Sequence, residues 1–368
     1  MYIESGASRE SMKNSILFMP TNGAGLGHLT RTLAIARRIR KIDPNREIIF
    51  FTTSPAINLI LQEGFLAYYI PSKMFFPDYI WSNQWNELLE KQLKLILQLH
   101  QPKTFVYDGA FVYYGVMAAT EGITSLKRVW VKRKQNKPEK DVETKSKENF
   151  FHHIIIPGEY QINLDSQAEI KYHYCNPVIY LDKSELLSKD EVKEILKIPN
   201  EYKLVYIQLG AGNINDIEST LSILLSILEN RKDLYFVLGE SIITSNRIEI
   251  SIERLLTLKD YPNSRYYNAF DLTISAAGYN TFFELMHFGV PSIFIPNEKT
   301  KSDDQVARSM VAEKAKAAIV LRNPNYQELE NAIDNVLNLS NNMIIRNNTQ
   351  KLNIQNGAED IAKLILKL

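Results

Sequence analysis

Cysteine is all but missing from this chain. Cys175 stands alone among 368 residues, so no disulfide can form within the chain, and a reducing compartment, by default the cytoplasm, is expected. An excess of charge is missing too. The 43 basic residues are balanced by 42 acidic ones, without the basic surplus a nucleic-acid binder carries; the expected ligand is a small molecule. No apolar run approaches the ~20 residues needed to span a bilayer, and residues 1–13 are polar and mixed in charge, unlike a secretory signal. No Gly-Lys-Ser/Thr closes any glycine turn, which excludes a P-loop. At this length two domains of ordinary size are expected.

What is present is an alternation of short apolar runs with helical patterns. Ile16–Met19, Glu47–Phe51, Phe65–Ile70, Thr104–Tyr107 and Arg128–Val131 read as strands, and His152–Ile156 resumes the series. A second series follows with Lys203–Ile207, Leu234–Leu238, Leu272–Ser275, Ser292–Ile295 and Ala317–Val320. Such alternation predicts parallel sheets covered by helices, here an α/β protein of two Rossmann-like halves. The expected division is residues 1–180, 181–340, and a C-terminal helix over 341–368 that packs back towards the first half. Within the first half, Lys127–Glu148 holds nine Lys/Arg and four Asp/Glu with little apolar periodicity and reads as a solvated loop.

Two strand-to-helix turns carry chemistry. Strand Ile16–Met19 runs into Gly23-Ala-Gly25-Leu-Gly27-His28, ahead of a helix whose apolar face is Leu29, Leu33, Ala36 and Ile39. Glycines let backbone approach a ligand, and free amides at a helix start favour anions. The spacing is not the dinucleotide fingerprint, because His28 stands where the third glycine belongs and no acid ends the second strand. A histidine at a helix N-terminus suits a general base; a ring bonded to turn carbonyls is the bland alternative. Asp108, directly after the fourth strand, could orient that ring or cap the next helix. In the second half, Gly210-Ala211-Gly212-Asn213 follows one strand, and Ser275-Ala-Ala277-Gly278 with Thr281 follows another. Glu284 has two readings: partner of Thr281 in a capping box, or a carboxylate accepting from the two hydroxyls of a ribose. His152-His153 has no partner ligand at metal spacing.

Taken together, Gly23–His28, Gly210–Gly212, Ser275–Gly278, Thr281, Glu284, Gly289-Val-Pro291 and Asp304-Gln305 resemble the GT-B glycosyltransferases. The likeness is strongest to the family-28-like group that includes the lipid II-forming N-acetylglucosaminyltransferase. The resemblance implies two Rossmann-like domains with an interdomain cleft, and an inverting transfer from a nucleoside-diphosphate sugar, in the first instance a uridine one. Glu284 would then hold ribose, the amides around Ser275–Thr281 and Gly210–Gly212 the diphosphate, Asp304 or Gln305 the sugar, and His28 would face the acceptor hydroxyl. No cofactor or metal is implied: the chain has no Asp-x-Asp, and adjacent Asp303-Asp304 make a poor chelator. Ala276 departs from the arginine of the lipid II enzyme, and Lys314-Ala-Lys316 replaces an expected glycine. A nucleotide-sugar hydrolase of the same fold is the runner-up, and a non-catalytic nucleotide-sugar-binding subunit remains open.

On the acceptor side Tyr68, Tyr69, Phe75, Phe76, Tyr79, Trp81, Trp85, Tyr113 and Tyr114 crowd one stretch. Rings stack on sugar faces, and an exposed aromatic rim beside Lys132-Arg133-Lys134 would suit a glycan or lipid-linked acceptor and peripheral contact with a membrane. Core packing is the competing reading for each ring.

Overall fold

The computed structural model describes residues 14–21, 25–133, 147–159, 171–210, 217–243, 252–300 and 303–368. The chain divides into two compact units, one running to Val178 and taking up Gly357–Leu368 again, the other comprising Ile179–Asn356.

The first unit is a seven-stranded parallel sheet: β1 (Ile16–Pro20), β2 (Ile48–Thr52), β3 (Leu66–Tyr69), β4 (Thr104–Asp108), β5 (Lys127–Val131), β6 (His153–Pro157) and β7 (Tyr172–Cys175), in the order β3-β2-β1-β4-β5-β6-β7. Every residue of β1, β2 and β4 is buried, as continuous apolar strands covered on both faces must be. Helices α1 (Gly27–Ile42), α2 (Ile57–Gln62), α3 (Ser82–His100) and α4 (Tyr114–Thr120) supply those covers. On α1 the predicted face of Leu29, Leu33, Ala36 and Ile39 is buried. On α3, Trp85, Leu89, Leu93, Ile96 and Leu97 form the stripe that packs into the core with Leu17, Met19, Phe51 and Phe105.

The second unit begins with α5 (Lys189–Leu196) and builds a six-stranded parallel sheet. Its strands are β8 (Lys203–Gln208), β9 (Leu234–Gly239), β10 (Leu255–Leu258), β11 (Leu272–Ser275), β12 (Ser292–Phe294) and β13 (Ile319–Val320), in the order β10-β9-β8-β11-β12-β13. The helices here are α6 (Ile217–Asn230), α7 (Tyr279–Phe288), α8 (Gln305–Lys314), α9 (Tyr326–Leu337) and α10 (Leu339–Lys351), with a 3-10 segment at Asn263–Ala269. The chain then returns to the first unit as α11 (Ala358–Lys367). The stretch expected as one helix over 341–368 is therefore two, interrupted where Asn353 takes a left-handed φ of 50°.

Both sheets are the two Rossmann-like halves expected. Each reverses its winding direction once, between β1 and β4 and between β8 and β11. At such a reversal the loops on either side diverge at the carboxyl ends of the strands and leave a crevice.

Candidate active site

The first crevice holds a charged cluster. Leu26 caps α1, so His28 lies in its first turn and Arg31, three residues on, shares its side of the helix. Asp108 ends β4 opposite Pro20 of β1, and its carbonyl accepts the Thr21 N–H at 2.8 Å. These three side chains converge. His28 Nδ1 lies 2.6 Å from Asp108 Oδ1, Arg31 Nε donates to Oδ2 at 2.7 Å, and Arg31 Nη2 donates to Oδ1. Asp108 is fully buried, and burial alone would raise its carboxyl; the Arg31 charge, then His28, outweigh it and hold the group below its ordinary value.

The geometry selects a tautomer. An ionised carboxylate only accepts, so the neutral imidazole places its proton at Nδ1 and its lone pair at Nε2. Among the described residues nothing hydrogen-bonds Nε2, and the side chain remains 26% exposed. Asp108 therefore orients the ring and does not cap the following helix: α4 begins after Tyr113 with no side-chain cap. Arg31 was not anticipated from sequence, although its spacing from His28 on one helical face was a signal. Gly27 is the first residue of α1, and a Cβ on Gly25 would meet nothing within 4 Å among the described residues, so their packing does not demand that glycine. Gly23 lies outside the described residues.

At the second crevice the sequence candidates also gather. Gly210, just beyond β8, has φ of 95°, a conformation that favours glycine; Ala211, Gly212 and Asn213 lie outside the described residues. Ser275 pairs with Gln208 across β11 and β8, and its buried hydroxyl has no hydrogen-bond partner among the described residues. Ala277 follows it, and Gly278 caps α7.

Glu284 corrects one reading. With α7 starting at Tyr279, Thr281 is its third residue and Glu284 its sixth, so the two are not the cap and third positions that a capping box requires. The helix opens two residues earlier than the sequence suggested because Gly278 ends the turn itself. The Glu284 carboxyl is instead 9% exposed, takes a 3.4 Å bond from the Ser264 hydroxyl and one from the Tyr180 backbone, and has no ion pair with a described residue. Burial pushes it up to about 7, against the lowering effect of those two bonds. A nearly buried carboxyl without a counter-charge is costly in isolation, and a ligand bringing hydroxyl donors would relieve that cost.

Asp304 caps α8, its Oδ1 accepting the Ala307 N–H at 2.9 Å. Gln305 Oε1 accepts the Asn297 N–H at 3.0 Å. Asp303 is paired with Arg308 of α8 at 2.6 Å. His153 faces His173 at 3.1 Å, and no group of three or more metal-ligating side chains occurs among the described residues.

The aromatic stretch divides in two. Trp85 is core, with Tyr113 edge-on at 4.8 Å, and Tyr68 hydrogen-bonds His100. Phe75, Tyr79, Trp81 and Tyr114 are more than half exposed, and so is Met74. No described helix is long and apolar enough to cross a membrane.

The chain is similar to known proteins. Residues 233–365 match the model of the glycosyltransferase family 28 C-terminal domain. The chain is 25% identical over 371 residues to the UDP-N-acetylglucosamine–N-acetylmuramyl-(pentapeptide) pyrophosphoryl-undecaprenol N-acetylglucosamine transferase of Thermoanaerobacter sp. strain X514, covering 95% of this chain and 98% of that protein. The enzyme of the same name from Bacteroides fragilis is 20% identical, with 98% of each chain covered. Among solved structures, the glycotransferase of kitacinnamycin superposes with a TM-score of 0.68 at 13% identity, covering 96% of this chain and 98% of that one. MurG of Acinetobacter baumannii gives 0.63 at 14% identity, with 96% and 100% covered.

Proposed function

We propose, from the premise that this chain is a glycosyltransferase of the GT-B fold with a family 28 C-terminal domain, that it moves a sugar from a uridine diphosphate donor to an acceptor hydroxyl, with inversion and without a metal. The observation that carries the reading is the His28–Asp108–Arg31 cluster, in which a buried carboxylate engages Nδ1 of the imidazole and leaves Nε2 without a partner among the described residues.

In the proposed step Nε2 takes the proton of the acceptor hydroxyl as its oxygen attacks the anomeric carbon. The bond from that carbon to the diphosphate breaks and its electron pair leaves with the phosphate. A single displacement inverts the carbon. The departing charge meets the amides of the Ser275–Gly278 turn at the start of α7 and the glycine turn at Gly210, an electrostatic role that elsewhere a cation would fill. Glu284 accepts the ribose hydroxyls, Thr281 lies one turn earlier on α7, and Asp304 or Gln305 contacts the sugar. The lack of an ion pair at the Glu284 carboxyl among the described residues supports a ligand there. With Asp303 committed to Arg308 and Asp304 to a helix cap, neither carboxylate is spare for a cation.

The relatives' names specify UDP-N-acetylglucosamine as donor and a pyrophosphoryl-undecaprenol acceptor. A lipid-linked acceptor fits the exposed Met74, Phe75, Tyr79 and Trp81, with Lys73 beside them, as does peripheral contact with an anionic membrane surface.

The test follows UDP release from UDP-N-acetylglucosamine with and without lipid-linked and soluble acceptors. Release that requires an acceptor supports transfer; sugar freed into water without one moves the reading to hydrolysis. His28→Ala is expected to lower turnover by about two to four orders of magnitude while UDP still binds. Unaltered turnover removes His28 as the base.

A further inference from the structure

Arg308 is an arginine that no step of the proposed transfer uses, yet it is 3% exposed and reaches two separate parts of the second crevice. Nη1 donates to the Ala277 carbonyl at 2.7 Å, Nη2 donates to Asp303 Oδ1 at 2.6 Å, and Nη1 lies 3.4 Å from Oδ2. The guanidinium carbon stands 5.5 Å from the Tyr279 ring centroid. A buried cation survives only when paired, and Asp303, 16% exposed, provides the pairing. The planar fork can serve both acceptors at once, which an ammonium could not do with the same geometry.

The bond to Ala277 has a stereochemical consequence. The cis peptide among the described residues is Tyr261–Pro262, so the Ala277–Gly278 unit is trans, and its carbonyl and N–H point in opposite directions. With the carbonyl drawn to Arg308, the Gly278 N–H is turned the other way, and no described residue accepts it. Were the peptide flipped, lone pairs would face outward from a turn expected to receive phosphate.

We propose that Arg308 is a positioning residue for the donor. It orients the Ala277–Gly278 peptide so that an amide proton meets the diphosphate, and through Asp303 it fastens the segment bearing Asp304 and Gln305 to the same turn. This rests on the donor site described under Proposed function. Sugar-end and phosphate-end contacts then form one rigid unit, which should show in how well the second phosphate is recognised.

The experiment is calorimetric titration of the wild type, Arg308→Met, Arg308→Lys and Asp303→Asn with UDP and with UMP, alongside donor KM and kcat. In the wild type UDP should bind more tightly than UMP. Arg308→Met should weaken UDP by about ten- to a hundredfold while leaving UMP almost unchanged, so the preference collapses and donor KM rises. Arg308→Lys keeps the charge but not the fork, and should not restore the preference. Asp303→Asn, at a partly exposed position, guards against a misfolded Arg308→Met and should lower the same preference. A wild-type preference retained in a folded Arg308→Met, or fully restored by lysine, overturns the positioning role and leaves the donor site standing. A wild type that binds neither nucleotide takes down the donor site and this inference with it.

Discussion

Asp108 shows how burial and charge divide the labour at a single residue. Alone in a dry position its carboxyl would hold its proton; the Arg31 guanidinium keeps it ionised, and only an ionised Asp108 fixes the His28 tautomer. Glu284 is the opposite case, a buried carboxyl with no cation paired to it among the described residues, pushed up to about 7 from an ordinary 4.5. Its linkage has a definite sign. Between those values the folded state holds a proton that the unfolded state has released, so stability from this group is complete below pH 4.5 and is lost as pH rises through about 7, by about 3 kcal/mol at most. Glu284→Gln should therefore flatten the fall of Tm between about pH 5 and 8. UDP binding should strengthen over the same range in the wild type, because ribose hydroxyls donate to the ionised form. A wild-type affinity that does not change with pH would leave Glu284 without a ligand role. His28 and Glu284 were legible as residues, and Asp108 was one candidate to orient the His28 ring, but Arg31 and Ser264 were not legible as partners. Asp108 is eighty positions from His28, and Ser264 twenty from Glu284.

At the scale of elements, long apolar runs were readable and edges were not. Strands β7 and β10 were absent from the sequence reading, and both are edge strands of partly buried residues, where one neighbour is missing and apolar alternation fades. Helix starts were also off where glycine ended a turn, as at Gly278. The packing of α3 on α4 turns on Gly115: its N–H donates to Asn86 Oδ1 at 2.9 Å, and an added Cβ would collide with the Asn86 backbone carbonyl. Gly115→Ala, ordinarily favourable in a helix, should here cost about 1–3 kcal/mol, readable as a lowered urea midpoint at unchanged m. A stabilised variant would mean that the two helices can separate freely.

At the scale of the whole molecule the chain leaves its first unit at Val178 and comes back to it at Gly357. The Gly357 N–H donates to the Pro177 carbonyl at 2.8 Å, and a Cβ on Gly357 would strike the Asn176 backbone, so the outgoing and returning strands of chain touch at a point that admits only glycine. Beyond it Ala358, Ile361, Ala362 and Ile365 of α11 are buried in the first unit, where α11 packs on α1, the helix that carries His28 and Arg31. Deleting residues 357–368 should destabilise that unit by several kcal/mol, on the order of 2 kcal/mol or more for each isoleucine, and should lower turnover more than UDP affinity. Equal loss of both would mean that the helix supports the second unit as well.

A resemblance of motifs to the GT-B glycosyltransferases implied a sugar-transferring scaffold, while local pattern alone determined which runs are strands and that both sheets are parallel and covered. These are properties of periodicity and spacing, carried by neighbours along the chain. The tertiary structure decided which charges meet. It brought Arg31 and Asp108 to His28, withdrew Glu284 from a cap into a buried site beside Ser264, and turned Arg308 onto the Ala277 carbonyl. Electrostatic environment depends on distance through space and on the exclusion of water, and neither is set until distant segments have packed.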